Sequence, residues 1–178
     1  MLIKSIVLST LLCLSTPAIA TYGGVVSSIQ TLAKLVAEDD QDVNNIESVS
    51  GILAAQKIAD DLNNLGSAIS HVVSGNAGTA ASNNKATEDQ LTDAYSDFNE
   101  EFQKYLDDLI EKKDVLTVLL QQKAIYNAVY NLYTPFNNLN KFVQSLLGDT
   151  DHKDEANESA SGGYSALDEA EDTYEVAT

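Results

Sequence analysis

Apolar residues recur along most of this chain at steps of three and four, the spacing that puts side chains on one face of a helix. Val25, Val26, Ile29, Leu32, Ala33 and Val36 predict a first amphipathic helix ending at the acidic run Glu38-Asp39-Asp40. Val43, Ile46, Val49 and Leu53 lead into Ala55, Ile58, Leu62, Leu65, Ile69 and Val72, a long second helix that Gly51 bends or offsets. It should stop near Gly75, where Ser74-Gly75-Asn76-Ala77-Gly78 supplies turn residues.

After a small, polar linker, Thr87-Glu88-Asp89-Gln90 reads as a capping box opening a third helix. Its apolar face runs through Leu91, Tyr95, Phe98, Phe102, Tyr105, Leu109 and Ile110, with Lys112 and Lys113 at the negative end of the dipole. Leu116, Leu119, Leu120, Lys123, Tyr126, Tyr130 and Tyr133 make the next stripe, with Asp114 as its cap, and Thr134-Pro135 marks a break. Phe136, Leu139, Phe142, Val143, Leu146 and Leu147 form a last helix ending at Gly148. No strand alternation of useful length is present, so the reading is all-α, a bundle of about five amphipathic helices.

Both ends depart from this pattern. Met1 to Ala20 combines Lys4, an apolar run from Ile6 to Leu14 and the small-residue site Ala18-Ile19-Ala20, which is the pattern of a secretory signal peptide. The run is too short to span a bilayer, and no later stretch reads as a transmembrane segment. Cys13 lies inside the signal, so a mature chain starting near Thr21 has no thiol for catalysis, zinc or disulfides. From Asp149 to Thr178 the chain carries ten acidic residues and one Lys, with Ser161-Gly162-Gly163 adding flexibility. That composition predicts a disordered acidic tail. The organisation is thus a signal over 1–20, a helical domain over 21–148 and a tail over 149–178. The sequon Asn157-Glu158-Ser159 makes Asn157 the candidate glycosylation site.

Charge removes several functions. The formal net charge is −17 and Arg is absent, which excludes a basic nucleic-acid footprint and electrostatic attachment to anionic lipids. Enzyme chemistry finds no footing either. The two histidines, His71 and His152, have no metal-ligand spacing, and adjacent carboxylates such as Asp107-Asp108 point in different directions on a helix. The reading is a non-enzymatic protein without a cofactor.

The rings are placed unevenly: nine of the twelve Tyr and Phe residues lie between Tyr95 and Phe142. They either fill the core or line an apolar cavity for a lipid, since Tyr offers an apolar body with a polar tip. On the second reading the candidate ligand-binding residues are Tyr95, Phe98, Phe102, Tyr105, Tyr126, Tyr130 and Tyr133.

Tyr105-Leu106-Asp107-Asp108-Leu109-Ile110-Glu111-Lys112-Lys113 resembles the Leu-Asp-x-Leu-Ile-x-Lys-Lys segment of the fungal hydrophobic surface-binding protein A family, also called cell-wall galactomannoproteins. Gly51-Ile52-Leu53-Ala54-Ala55 is similar to the Gly-Leu-Leu-rich element of that family, and the similarity covers roughly Val25 to Leu147. The resemblance implies a secreted, cell-wall-associated helical bundle that binds hydrophobic surfaces, with fatty acids or other lipids and cell-wall components as partners. Two departures stand out: Asp114 replaces the usual Pro after the Lys pair, and the chain turns acidic after Gly148 where members continue in Ala-rich helix. The competing reading is a secreted effector or structural wall protein acting through protein–protein contacts.

Overall fold

A computed structural model describes residues 21–47 and 51–175. Among them there are six helices and no strand: α1 (Tyr22–Asn44), α2 (Ile52–Gly75), α3 (Lys85–Glu111), the short α4 (Lys113–Val118), α5 (Gln122–Leu146) and α6 (Thr150–Tyr174). The predicted signal segment, including Cys13, and Val49 lie outside the described residues.

The five long helices close into a ring in the order α1, α2, α5, α6, α3, and each packs on its two neighbours. One end of the ring gathers the starts of α1, α3 and α6 with the ends of α2 and α5. There the Ser82 backbone N–H donates to Leu146 O at 2.9 Å, and the buried Glu88 accepts from the N–H groups of Gly148 and Asp149 at 3.1 and 3.0 Å. The other end gathers the ends of α1, α3 and α6 with the starts of α2 and α5. Asn44 donates to Asp108 at 2.7 Å, Tyr174 Oη donates to Leu109 O at 2.5 Å, and Gln122 donates to Tyr174 O at 3.4 Å. One apolar core fills the ring, drawing on every helix.

Several boundaries differ from the sequence reading. α1 runs past its acidic stretch to Asn44, because Asp39 and Asp40 are buried and Asp40 pairs with Lys104 of α3. The second pattern is broken rather than bent: Gly51 sits at φ +82°, a backbone state costly for other residues, and caps α2. α3 starts earlier, with Asn84 Oδ1 accepting from Thr87 N at 3.3 Å in place of a Thr87 cap. α4 ends in a turn with Leu120 at φ 59°, so what read as a single stripe is two helices. Pro135 interrupts nothing. It lies inside α5 at the wall of an open groove it shares with Asn131 and Leu132.

The largest correction concerns the acidic tail, which is helix α6. His152, Ala156, Ala160, Gly163, Ala166, Leu167, Ala170 and Tyr174 are buried on one face, while the carboxylates stay on the other. Gly163 is a packing seat and not a hinge: a Cβ there would stand 2.5 Å from the Phe136 ring. Small side chains let α6 approach α3 and α5 closely, and this contact replaces the apolar bulk that the sequence lacks. The acidic segment after Gly148 is therefore no departure from an extended helical fold.

Candidate functional site

The interior of the ring is the candidate site. α3 projects Tyr95, Phe98, Phe102 and Tyr105 into it at steps of three and four, and all four are fully buried. Phe102 stacks on Phe136 of α5 with centroids 4.9 Å apart, and Phe98 lies 5.7 Å from Phe102. Tyr164 of α6 meets Phe136 edge-on at 4.8 Å. These rings form an aromatic column that crosses the ring from α3 to α5 and ends on α6. Offset and edge-on pairs of this kind add about 0.5–1.5 kcal/mol each beyond their burial.

The column has a polar side. Asn99 is buried and donates to Tyr95 O at 2.8 Å and to Ser159 Oγ at 3.0 Å, while its own Oδ1 accepts nothing. Tyr95 Oη and Asn140 Oδ1 are also buried without a partner, and Tyr164 Oη donates to Asn137 Oδ1 at 3.3 Å. Burial pushes the Tyr95 and Tyr164 hydroxyls upward, against the opposing pull of the Asn99 and Asn140 side chains respectively, so both stay neutral. A buried polar atom without a partner costs about 1–3 kcal/mol. An uncharged head with a carbonyl and a hydroxyl would satisfy this set, and the Phe rings suit an acyl chain.

Toward the other end Tyr105 Oη is buried without a partner, as is Asp39 Oδ2. Asp39 is pushed up to about 7, first by burial and then by Asp61, Asp42 and Glu38, against the opposing pull of Lys57. Burial, with the carboxylates of Asp39, Asp61, Asp40 and Asp42, drives the Tyr105 hydroxyl well above its ordinary value. An anionic head would be repelled here, so the polar atoms around Tyr95 and Asn99 are the better seat.

The remaining predicted residues do not join this site. Tyr126, Tyr130 and Tyr133 form a ladder on the outer seam between α5 and α6, with neighbouring centroids 6.4 Å apart. Tyr133 Oη donates to Asp168 at 2.6 Å and Tyr126 Oη to Glu171 at 3.4 Å, while Tyr130 is 59% exposed. The seven rings thus split into four inside and three outside. Phe136, Asn99 and Tyr164 belong to the interior site and were missed. Phe136 lay on a separate predicted helix, and Tyr164 lay in the supposed tail. The signal that finds α6 is the spacing 152, 156, 160, 163, 167, 170, 174, legible only when Ala and Gly count as packing residues.

Asn157 is exposed on α6, and its sequon partner Ser159 accepts the bond from Asn99. His71 is exposed on α2, whereas His152 is buried and bonded through Nε2 to Asp89 Oδ1 at 2.7 Å. Among the described residues no group of three or more His, Cys, Asp or Glu side chains could hold a metal ion. No helix among them is long and apolar enough to cross a membrane.

The sequence matches no family model and no curated protein. Its fold does match solved structures. Afmp4p in complex with palmitic acid is 16% identical, with a TM-score of 0.79 over 86% of this chain and 99% of that one. Ligand-binding domain 1 of the Penicillium marneffei MP1 protein, complexed with arachidonic acids, is 13% identical, with a TM-score of 0.76 over 84% of this chain and 95% of that one. Ligand-binding domain 2 of the same protein, also with arachidonic acids, is 15% identical, with a TM-score of 0.75 over 83% and 90%. These neighbours are fungal ligand-binding proteins that share the whole helical architecture.

Proposed function

We propose that this chain is a secreted, cell-wall-associated, non-enzymatic protein that binds a fatty acid or related long-chain lipid inside its helical ring. The observation that carries the reading is the near-complete overlap with a fold that holds palmitic acid in one neighbour and arachidonic acids in others. The interior supports it with an apolar column for an acyl chain beside unpartnered polar atoms of Tyr95, Asn99 and Asn140. A neutral carboxyl or ester head would take the hydrogen bonds these atoms lack. Because the column is filled by Phe98, Phe102 and Phe136, entry of a chain turns these rings aside, and the affinity reflects that cost. Secretion rests on the pattern of residues 1–20, and wall association on the resemblance carried by residues 105–113.

Titration of the purified protein with a fluorescent long-chain fatty acid tests the interior site. Saturable binding competed by palmitate is expected at Kd near 1 μM or below, about −8 kcal/mol. Tyr95→Phe should weaken it by a few-fold while leaving helicity unchanged. Absence of saturable binding in that range overturns the lipid reading.

A further inference from the structure

The free polar atoms beside the aromatic column differ in kind, and their kinds choose a ligand head. Asn99 is buried, and its amide N–H groups are both engaged, donating to Tyr95 O at 2.8 Å and Ser159 Oγ at 3.0 Å. The carbonyl partner fixes which way the amide points, so the atom left free is Oδ1, which can only accept. Asn140 opposes the upward shift of the Tyr164 hydroxyl, so its N–H edge faces that ring and its buried Oδ1 is likewise an acceptor without a donor. The Tyr164 proton is already given to Asn137 Oδ1 at 3.3 Å. Of the unpartnered atoms on this side, Tyr95 Oη alone can donate, and it is fully buried.

The interior also lacks a cation. The chain has no Arg, and among the described residues no Lys is buried. His152 is buried, but its ring is bonded to Asp89 near the start of α3. Toward the far end of the column the free atoms are Tyr105 Oη and Asp39 Oδ2, and the groups acting on them are mainly carboxylates. A negative head therefore finds no counter-charge at either end of the column.

We propose that the interior site selects lipids whose uncharged head carries an O–H, long-chain alcohols and monoacylglycerols, over ionised fatty acids and alkyl esters. An alcohol donates to an amide oxygen and accepts from Tyr95, so it serves both kinds of free atom. An ionised carboxylate only accepts: Tyr95 is its one donor, and its charge is buried beside amide oxygens without a counter-ion. An alkyl ester also only accepts, and it leaves the oxygens of Asn99 and Asn140 unpaired. A fatty acid enters as the neutral acid, at the cost of taking up a proton from solution. The inference rests on the interior lipid site proposed above and names the class of head that the site takes.

Calorimetric titration of the purified protein at neutral pH with dodecanol, monolaurin, methyl laurate, laurate and dodecanesulfonate, which share one chain length, tests it. Dodecanol and monolaurin should bind about tenfold tighter than methyl laurate and dodecanesulfonate, the effect of one buried polar atom left unpaired. Simple partition into an oily core gives the opposite order for the ester, which is more apolar than the alcohol. Laurate should fall between, because it can take up a proton and the sulfonate cannot. Asn99→Leu should erase the difference between dodecanol and methyl laurate, a ratio read within one protein, so a general loss of stability cancels. Asn140→Leu, at a half-buried position, repeats the measurement where Asn99→Leu fails to fold. Methyl laurate or dodecanesulfonate that binds as tightly as dodecanol overturns the head selection and leaves the interior site standing. A dodecanol preference that survives both substitutions overturns it too. Binding of none of the five overturns the interior site itself and this inference with it.

Discussion

Helices α3 and α6 run side by side from Glu88 and Asp149 at one end to Leu109 and Tyr174 at the other, and they present opposite faces to the same interior. α3 sends in Tyr95, Phe98, Phe102 and Tyr105; α6 sends in Ala156, Ala160, Gly163, Ala166 and Ala170. One helix supplies volume and the other supplies proximity. The pairing explains why a helix with eight acidic residues among its 25 is still part of the core. Its apolar face is narrow but buried along its length, so little of its limited apolar area is wasted on water.

The sharpest way to break this arrangement is to empty the α3 side. Phe102→Ala removes a fully buried ring that stacks on Phe136. Removal of a buried Phe costs about 3–5 kcal/mol, and the upper half of that range is expected because both neighbours in the column are themselves rigid rings. Urea denaturation followed by circular dichroism measures it. A loss below about 1 kcal/mol would mean that the column collapses freely and that α6 does not depend on it.

The α6 side is sharpened by two adjacent glycines. In Gly163→Ala the new methyl would stand 2.5 Å from the Phe136 ring, inside the core. Overpacking of that kind costs about 1–3 kcal/mol, reduced by the roughly 1 kcal/mol that Ala gains over Gly in a helix. Gly162→Ala meets only the end of the Gln103 side chain, which can swing away, so the helix gain should dominate and the variant should match or exceed wild type. Equal destabilisation by both substitutions would show that α6 is not seated on Phe136.

The same contrast explains what could be read from the residues alone. The stripe of α3 is legible because large apolar side chains announce their period against polar neighbours. α1 and α2 were legible for the same reason, apart from their junction, where a positive φ at Gly51 decides the break. α6 has a clean period too, but Ala and Gly carry little hydrophobicity, and a dense negative charge obscures them. Composition argues for disorder, and the packing partner, Phe136 on the neighbouring α5, decides for a helix. The candidate site divided along a similar line. Periodicity placed Tyr95, Phe98, Phe102 and Tyr105 on one face correctly, but it could not show that the Tyr126, Tyr130 and Tyr133 face turns outward to Asp168 and Glu171. Which of two stripes faces the interior depends on the order of helices around the ring, which no single helix encodes.

The smallest expected effect is a dependence of stability on pH at the α3–α6 junction. His152 is raised above its ordinary value chiefly by its bond to Asp89, with Asp149 and Glu88 adding to it. A raised His contributes stability that is fully present below its unfolded value, near 6.5, and is lost as pH rises through the higher folded value. Asp39 at the far end is also raised, to about 7, and a raised carboxyl likewise makes the folded state less stable as pH climbs from about 4 toward 7. The two windows adjoin, so they must be separated by substitution. Asp39→Asn should flatten the urea midpoint between about pH 4 and 7 and leave the decline above it. His152→Gln should remove the decline above about pH 6.5 and leave the lower one. Proton NMR of the His152 ring gives the assignment directly, and a ring that titrates below 6.5 would show that Asp89 does not hold the α6 end to α3 by charge.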